Sequence, residues 1–151
     1  MPRLALVLVA ALAAPALAAQ SLPADAHAYL GEWVTYSDDG EEAQSVIRIT
    51  EADGVLVGRI VRLLPTAAYP VPQFRCDDCN GRYQGVDLRT VPIIEGMVWG
   101  GDEFAGGRLN DPTNGRSYRG VLRLDGPDRL RVRGFLGIRA IGRTQIWRRA
   151  R

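Results

Sequence analysis

A single antiparallel eight-stranded up-and-down β-barrel, led by one short helix, is the fold class that this 151-residue sequence predicts. Three observations predict it. Apolar and polar residues alternate with period two through eight short runs. Compact turn signals built from Gly, Asp, Asn and Pro separate most of those runs, the pattern of an antiparallel meander. The 17 glycines are spread along the chain, as they are where turns, bulges and barrel corners recur. Eight strands close a barrel just wide enough for a packed core or one small ligand.

The elements follow in order. Residues 1–18 read as a signal peptide: Arg3 supplies the charge, Leu4 to Ala14 the apolar core and Ala16-Leu17-Ala18 the small-x-small cleavage site. The mature domain is then 19–151, and export places it in an oxidising space where a cysteine pair persists as a disulfide. The cleavage site has no cysteine, so no lipid anchor is expected there. No later apolar run approaches the ~20 residues a membrane-spanning helix needs. Ser21 to Leu30 reads as a short helix with Ser21 as N-cap and Gly31 as terminator. The expected strands are Leu30–Ser37, Gln44–Glu51, Val55–Leu63, Thr90–Trp99, Phe104–Asn110, Arg116–Leu124, Arg129–Leu136 and Ala140–Arg148. In the seventh, Leu130, Val132 and Gly134 share one face and Arg129, Arg131 and Arg133 the other. Gly134 leaves room for a bulky neighbour such as a tryptophan. Leu64 to Asp87 interrupts the pattern with three prolines, three aromatics and both cysteines. Connections this long are often functional.

All 19 basic residues are arginine. From Arg116 to Arg151 there are eleven arginines and two acids, whereas 19–115 carries seven arginines and fifteen acids. The halves either neutralise one another across a closed sheet or leave a basic face for anionic partners.

Chemistry-bearing motifs are few. Cys76-Asp77-Asp78-Cys79 has no second pair of soft ligands beyond the distant His27, and it lacks the βαβ context of a thioredoxin site. A local disulfide pinning the long loop is favoured over a metal or redox site. Asp78, Asn80, Gly81 and Asp87 partly mimic a calcium loop, but Cys76 stands where its first acid is needed. His27 is the sole histidine, and no serine lies in a Gly-x-Ser-x-Gly elbow. The residues therefore offer no catalytic set, no metal site and no cofactor. A pair of carboxylates meeting in space is the remaining enzymatic route.

Several motifs line up in order: Gly31-Glu32-Trp33; Val46-Ile47-Arg48-Ile49 with Gly54 and Gly58-Arg59-Ile60; Cys76-x-x-Cys79-Asn80-Gly81; Gly107-Arg108-Leu109-Asn110-Asp111-Pro112 with Gly115-Arg116-x-Tyr118; Leu130-x-Val132-Arg133-Gly134-Phe135-Leu136-Gly137; and Gly142-Arg143-Thr144-Gln145-x-Trp147-x-Arg149. Together they resemble the secreted bacterial family called domain of unknown function 2147. The resemblance covers nearly the whole mature chain and implies a lipocalin-like barrel. It also implies that a late arginine, Arg148 or Arg149, packs over Trp33 at the closed end. It implies no activity.

The functional expectation is an exported, periplasmic or secreted, non-enzymatic protein that binds a small apolar or amphipathic ligand. Tyr69, Phe74, Tyr83 and Trp99 are its rim and wall candidates. The alternative is an envelope-interaction module in which Arg129, Arg131 and Arg133 meet anionic lipid head groups or an acidic protein. Nucleic acid is not an expected partner of an exported domain.

Overall fold

The chain enters the fold through a single helical turn, α1 (Ala24–His27), shorter than the helix expected over 21–30. The computed structural model describes residues 21–151, so the expected leader at 1–18 lies outside the described residues. Proline explains the shortened helix. A residue preceding proline is pushed out of the helical region, so Leu22 stays outside the helix and Pro23, itself extended, becomes the N-cap, with no side-chain cap bond. Ser21 does not cap. At the other end the backbone turns towards the sheet, and the Tyr29 carbonyl accepts from Trp33 Nε1 at 2.9 Å.

Eight strands follow: β1 (Gly31–Tyr36), β2 (Ala43–Ala52), β3 (Val55–Leu63), β4 (Pro92–Trp99), β5 (Phe104–Asp111), β6 (Arg116–Leu124), β7 (Arg129–Phe135) and β8 (Gly142–Arg149). Each pairs antiparallel with its chain neighbour, and β8 returns to β1 through Trp33 opposite Arg149, closing the barrel. Two strands, β4 and β8, start two residues later than expected, and β1 starts one later. Leu88–Thr90 is a 3-10 turn whose first amide cap is the Asp87 carboxylate, accepting from Arg89 N. The strand therefore begins at Pro92, a position where a missing N–H costs least. Residues 136–141 form a loop closed by Ile141 N donating to the Ile138 carbonyl at 3.2 Å, which delays β8 to Gly142.

The alternation holds on β7: Leu130 and Val132 are buried, and Arg129 and Arg131 face out. Gly134, however, faces Tyr118 and Leu109, not a tryptophan. The closest inner approach is at Gly120, where fully buried Met97 occupies the space a Cβ would need. The inner core comprises Trp33, Ile47, Leu56, Ile94, Phe104 and Leu122, among others.

The two barrel ends differ. Tyr29 meets Trp99 and Phe104 edge-on, and Trp99 lies tilted against Phe104, with ring centroids 4.9–5.7 Å apart. The Tyr29 hydroxyl donates to the Asp102 carbonyl and accepts from Leu124 N, joining the β4–β5 turn to β6. Burial raises the pKa of this hydroxyl above its ordinary value. This aromatic plug and α1 close one end. The connections β1–β2, β3–β4, β5–β6 and β7–β8 gather at the other, because successive connections of a meander alternate between ends.

Candidate functional site

The open end leads into a cavity of about 890 Å³. Its inner wall is mostly apolar: Ile47, Ile60, Leu109, Val132 and Trp147 project from five different strands. Leu88 and Ile93 enter from the β3–β4 connection and β4. Met97 packs at Gly120 and does not line the cavity; side chains fill only part of the barrel.

The most deeply placed polar groups on the wall are engaged. Thr35 Oγ1 and Ser45 Oγ share a hydrogen bond of 2.7 Å. Trp147 Nε1 donates to Gln145 Oε1 at 3.0 Å. Asn110 donates to the Pro92 carbonyl at 2.7 Å and accepts from Arg82 at 3.2 Å. Among the described residues no buried side-chain nitrogen or oxygen lacks a partner. An apolar surface therefore dominates what a guest would meet.

The rim is apolar, and beyond the expected Tyr69 it draws on Val71, Leu136 and Ile141, which the sequence did not reveal. Tyr69 and Val71 of the long loop and Leu136 and Ile141 of the β7–β8 loop all border the cavity while remaining exposed. Their neighbours in sequence are ordinary loop residues; only the packing of two distant loops makes a rim of them.

The long loop is fixed along its second half. Cys76 and Cys79 stand at disulfide distance, with Cα atoms 5.3 Å apart. Arg75 bridges to Asp87 across the loop. Asn80 Nδ2 donates to the Thr113 carbonyl at 2.6 Å, seating the loop on the β5–β6 turn. Gly115 permits that approach: it has φ +73°, and a Cβ there would lie 2.8 Å from the Asn80 carbonyl oxygen. Arg82 Nη2 donates to Ser117 Oγ at 2.6 Å and stacks over Tyr83 at 4.7 Å.

Of the four aromatics expected around a ligand, Tyr69 lines the rim. Phe74 lies under Arg89, 4.8 Å from its guanidinium, and Tyr83 is buried beneath Arg82. Neither of these two reaches the cavity wall. Trp99 stands at the opposite end, in the aromatic plug. Alternation identified inward positions but not their height in the barrel, and tryptophan is as useful in a plug as in a wall. Trp147 is the wall tryptophan.

The closed end carries Trp33, fully buried, with the Arg149 guanidinium 4.1 Å from its ring centre. Arg149 also donates to the carbonyls of Ala28, Leu30 and Pro127. Arg148 faces outward over Tyr36 at 5.4 Å. Arg129 and Arg131 are exposed on the outer wall, each about 3.7 Å or less from Asp125. Arg133 is tied to the carbonyls of Arg139 and Ala140.

The family model described as "Uncharacterized protein conserved in bacteria (DUF2147)" matches residues 31–149. No curated protein matches the chain. Among solved structures the chain is similar to protein HP1028 of Helicobacter pylori, described as belonging to the lipocalin family. The TM-score is 0.65 at 14% identity, covering 81% of this chain and 82% of that one. At this identity the likeness is one of fold, and the fold is a lipocalin-like barrel.

Proposed function

The chain belongs to the bacterial DUF2147 family, and from that premise we propose that it is a non-enzymatic carrier of a small apolar or amphipathic molecule. One observation carries the reading: a cavity of about 890 Å³, open at one end and walled mainly by aliphatic and aromatic side chains. Ligand sites usually occupy ~300–1,000 Å³ and are predominantly apolar with few polar groups. In this reading Ile47, Ile60, Leu109, Val132 and Trp147 hold the apolar body, and Tyr69 with Leu136 and Ile141 guides its entry. The polar end stays near Gln145 and Thr35. A cleaved leader at 1–18 would deliver the domain outside the cytoplasm, which fits a Cys76–Cys79 disulfide. No helix among the described residues is long and apolar enough to cross a membrane.

The test is titration with the apolar fluorophore N-phenyl-1-naphthylamine. Saturable binding should survive 1 M salt, since burial of apolar surface is not screened. Val132→Trp should fill the cavity and weaken binding at least ~10-fold, a loss of about 1.4 kcal/mol, while the thermal transition is retained. Unchanged affinity in a folded Val132→Trp protein would sink the proposal. Native mass spectrometry after purification from a periplasmic extract would then identify the natural guest by its mass.

A further inference from the structure

The outer wall of β6, β7 and β8 holds a second concavity, independent of the barrel interior. It is a groove of about 280 Å³ lined by Val121, Arg123, Arg131, Arg133, Arg139 and Thr144. Its floor is Val121, an outward-facing residue that is nonetheless only 4% exposed. Val121 stands between Ala105 and Arg133 of the neighbouring strands, and the groove above it is bordered by the β7–β8 loop. That loop folds back over the wall and is clasped there by two bonds of 2.7 Å from Arg139 to the Glu103 carboxylate.

Four guanidinium groups meet in this groove in two different states. Arg133 and Arg139 are held: Arg133 donates to two loop carbonyls and to Thr144 Oγ1, and Arg139 to Glu103. Arg123 and Arg131 sit directly opposite one another across the β6–β7 ladder. Like charges in that position repel. Their nearest carboxylates, Asp102 and Asp125, lie 3.7 Å away, beyond hydrogen-bond reach. Other opposed arginine pairs on this barrel have relief. In the Arg108–Arg119 pair, Arg119 covers Phe135; in the Arg129–Arg148 pair, Arg148 covers Tyr36; in the Arg48–Arg59 pair, Arg48 donates to Glu32 at 2.6 Å and Arg59 to the Thr90 carbonyl at 2.7 Å. Among the described residues the Arg123–Arg131 pair has neither a ring nor a side-chain hydrogen bond, only the carboxylates at 3.7 Å.

We infer that this groove is a binding site for a phosphate group. A tetrahedral dianion seated between Arg123 and Arg131 would turn their repulsion into two forked, charge-assisted contacts. Arg133 retains unengaged N–H donors and a fixed orientation, so it adds a third. The apolar floor excludes water on one side and strengthens those contacts. The three acids at the margins, Asp102, Glu103 and Asp125, are outnumbered by the four arginines, so the groove stays cationic. The phosphate is either that of a soluble phosphate compound or that of a lipid head group.

The experiment uses the mature chain and two probes: inorganic phosphate, and phosphatidylcholine vesicles containing phosphatidylglycerol. Phosphate should shift the arginine Nε–Hε resonances of Arg123 and Arg131 saturably, and chloride at equal ionic strength should not. The double variant Arg123→Gln/Arg131→Gln should weaken phosphate binding about tenfold or more. Arg48→Gln/Arg59→Gln removes the same charge from an opposed pair on the distant β2–β3 wall and should leave it within about twofold. The Arg123/Arg131 variant loses a repulsive pair, so its thermal transition should lie at or above that of the native protein. Sedimentation with the vesicles that is abolished only by the Arg123/Arg131 variant assigns the site to lipid. Phosphate binding without sedimentation assigns it to a soluble compound. Equal weakening by both double variants, equal shifts with chloride, or no saturable binding of either probe overturns the site.

Discussion

Arg149 shows how much one side chain contributes when its geometry is fixed by the fold. Its guanidinium covers the Trp33 ring and satisfies three carbonyls at the closed end. A cation–π contact is worth about 0.5–2 kcal/mol, and charge-assisted bonds to carbonyls add to it. Arg149→Ala should therefore cost roughly 2–4 kcal/mol in urea unfolding, whereas Arg148→Ala, exposed over Tyr36, should cost under about 1 kcal/mol. Equal effects would place the closing role elsewhere. Glu103 offers a pH-dependent counterpart. Its bonds from Arg139 hold its carboxyl below the ordinary value. Its stabilisation is thus complete above the ordinary glutamate range and is lost as pH falls through the lowered value. Arg139 is half exposed, so the pair is worth no more than about 1 kcal/mol. Glu103→Gln should be less stable than the native protein by that amount at neutral pH. The difference should vanish once pH falls below that lowered value; a difference that persists in strong acid would mean that packing, not charge, is responsible.

Among the elements, the β3–β4 loop is the least regular and the most informative. Its second half is anchored by Asn80 and Arg82 on β5, β6 and their turn, as well as by the disulfide. A ring closed by so short a segment stabilises by about 2 kcal/mol through the unfolded chain. Cys76→Ser/Cys79→Ser should lower stability by about that much while the cavity still binds the naphthylamine probe. Loss of probe binding in a folded double variant would show that the disulfide shapes the mouth. The presence of the eight strands and their order were legible in the sequence, because half-buried strands must alternate. The helix length was misjudged because the effect of Pro23 on Leu22 outweighs the capping preference of Ser21. The start of β8 was placed early because Ala140 and Ile141 have strand-like composition but are taken up by the folded-back loop.

At the scale of the whole molecule, the barrel is packed at one end and hollow at the other. Stability should follow that division, since local opening tracks the density of buried contacts. Amides of β1 and β8 around Trp33 should exchange with solvent only through global unfolding. Residues 66–73 should exchange much faster, because their described ties are an internal Thr66–Tyr69 turn and one bond from Ala67 N to Glu42. Uniform protection would argue against a mouth that opens independently. Binding of an apolar guest should then protect 66–73 and leave the plug unchanged.

Period-two patterning, turn chemistry and chain length determined the all-β class, the strand count and the antiparallel order. These depend on local alternation and short-range connectivity, both of which a linear sequence contains. Tertiary structure alone decided which inward residues line a cavity and which fill a plug. Trp99 and Trp147 both come from strands with matching periodicity, yet they lie at different heights because strand stagger sets depth. It also decided that Arg149, not Arg148, covers Trp33, since the β1–β8 register determines which of two adjacent side chains points inward. The groove of Arg123, Arg131, Arg133 and Arg139 has the same origin. Its members are scattered along the last third of the chain and meet only because ladder register and a folded-back loop bring them to one face.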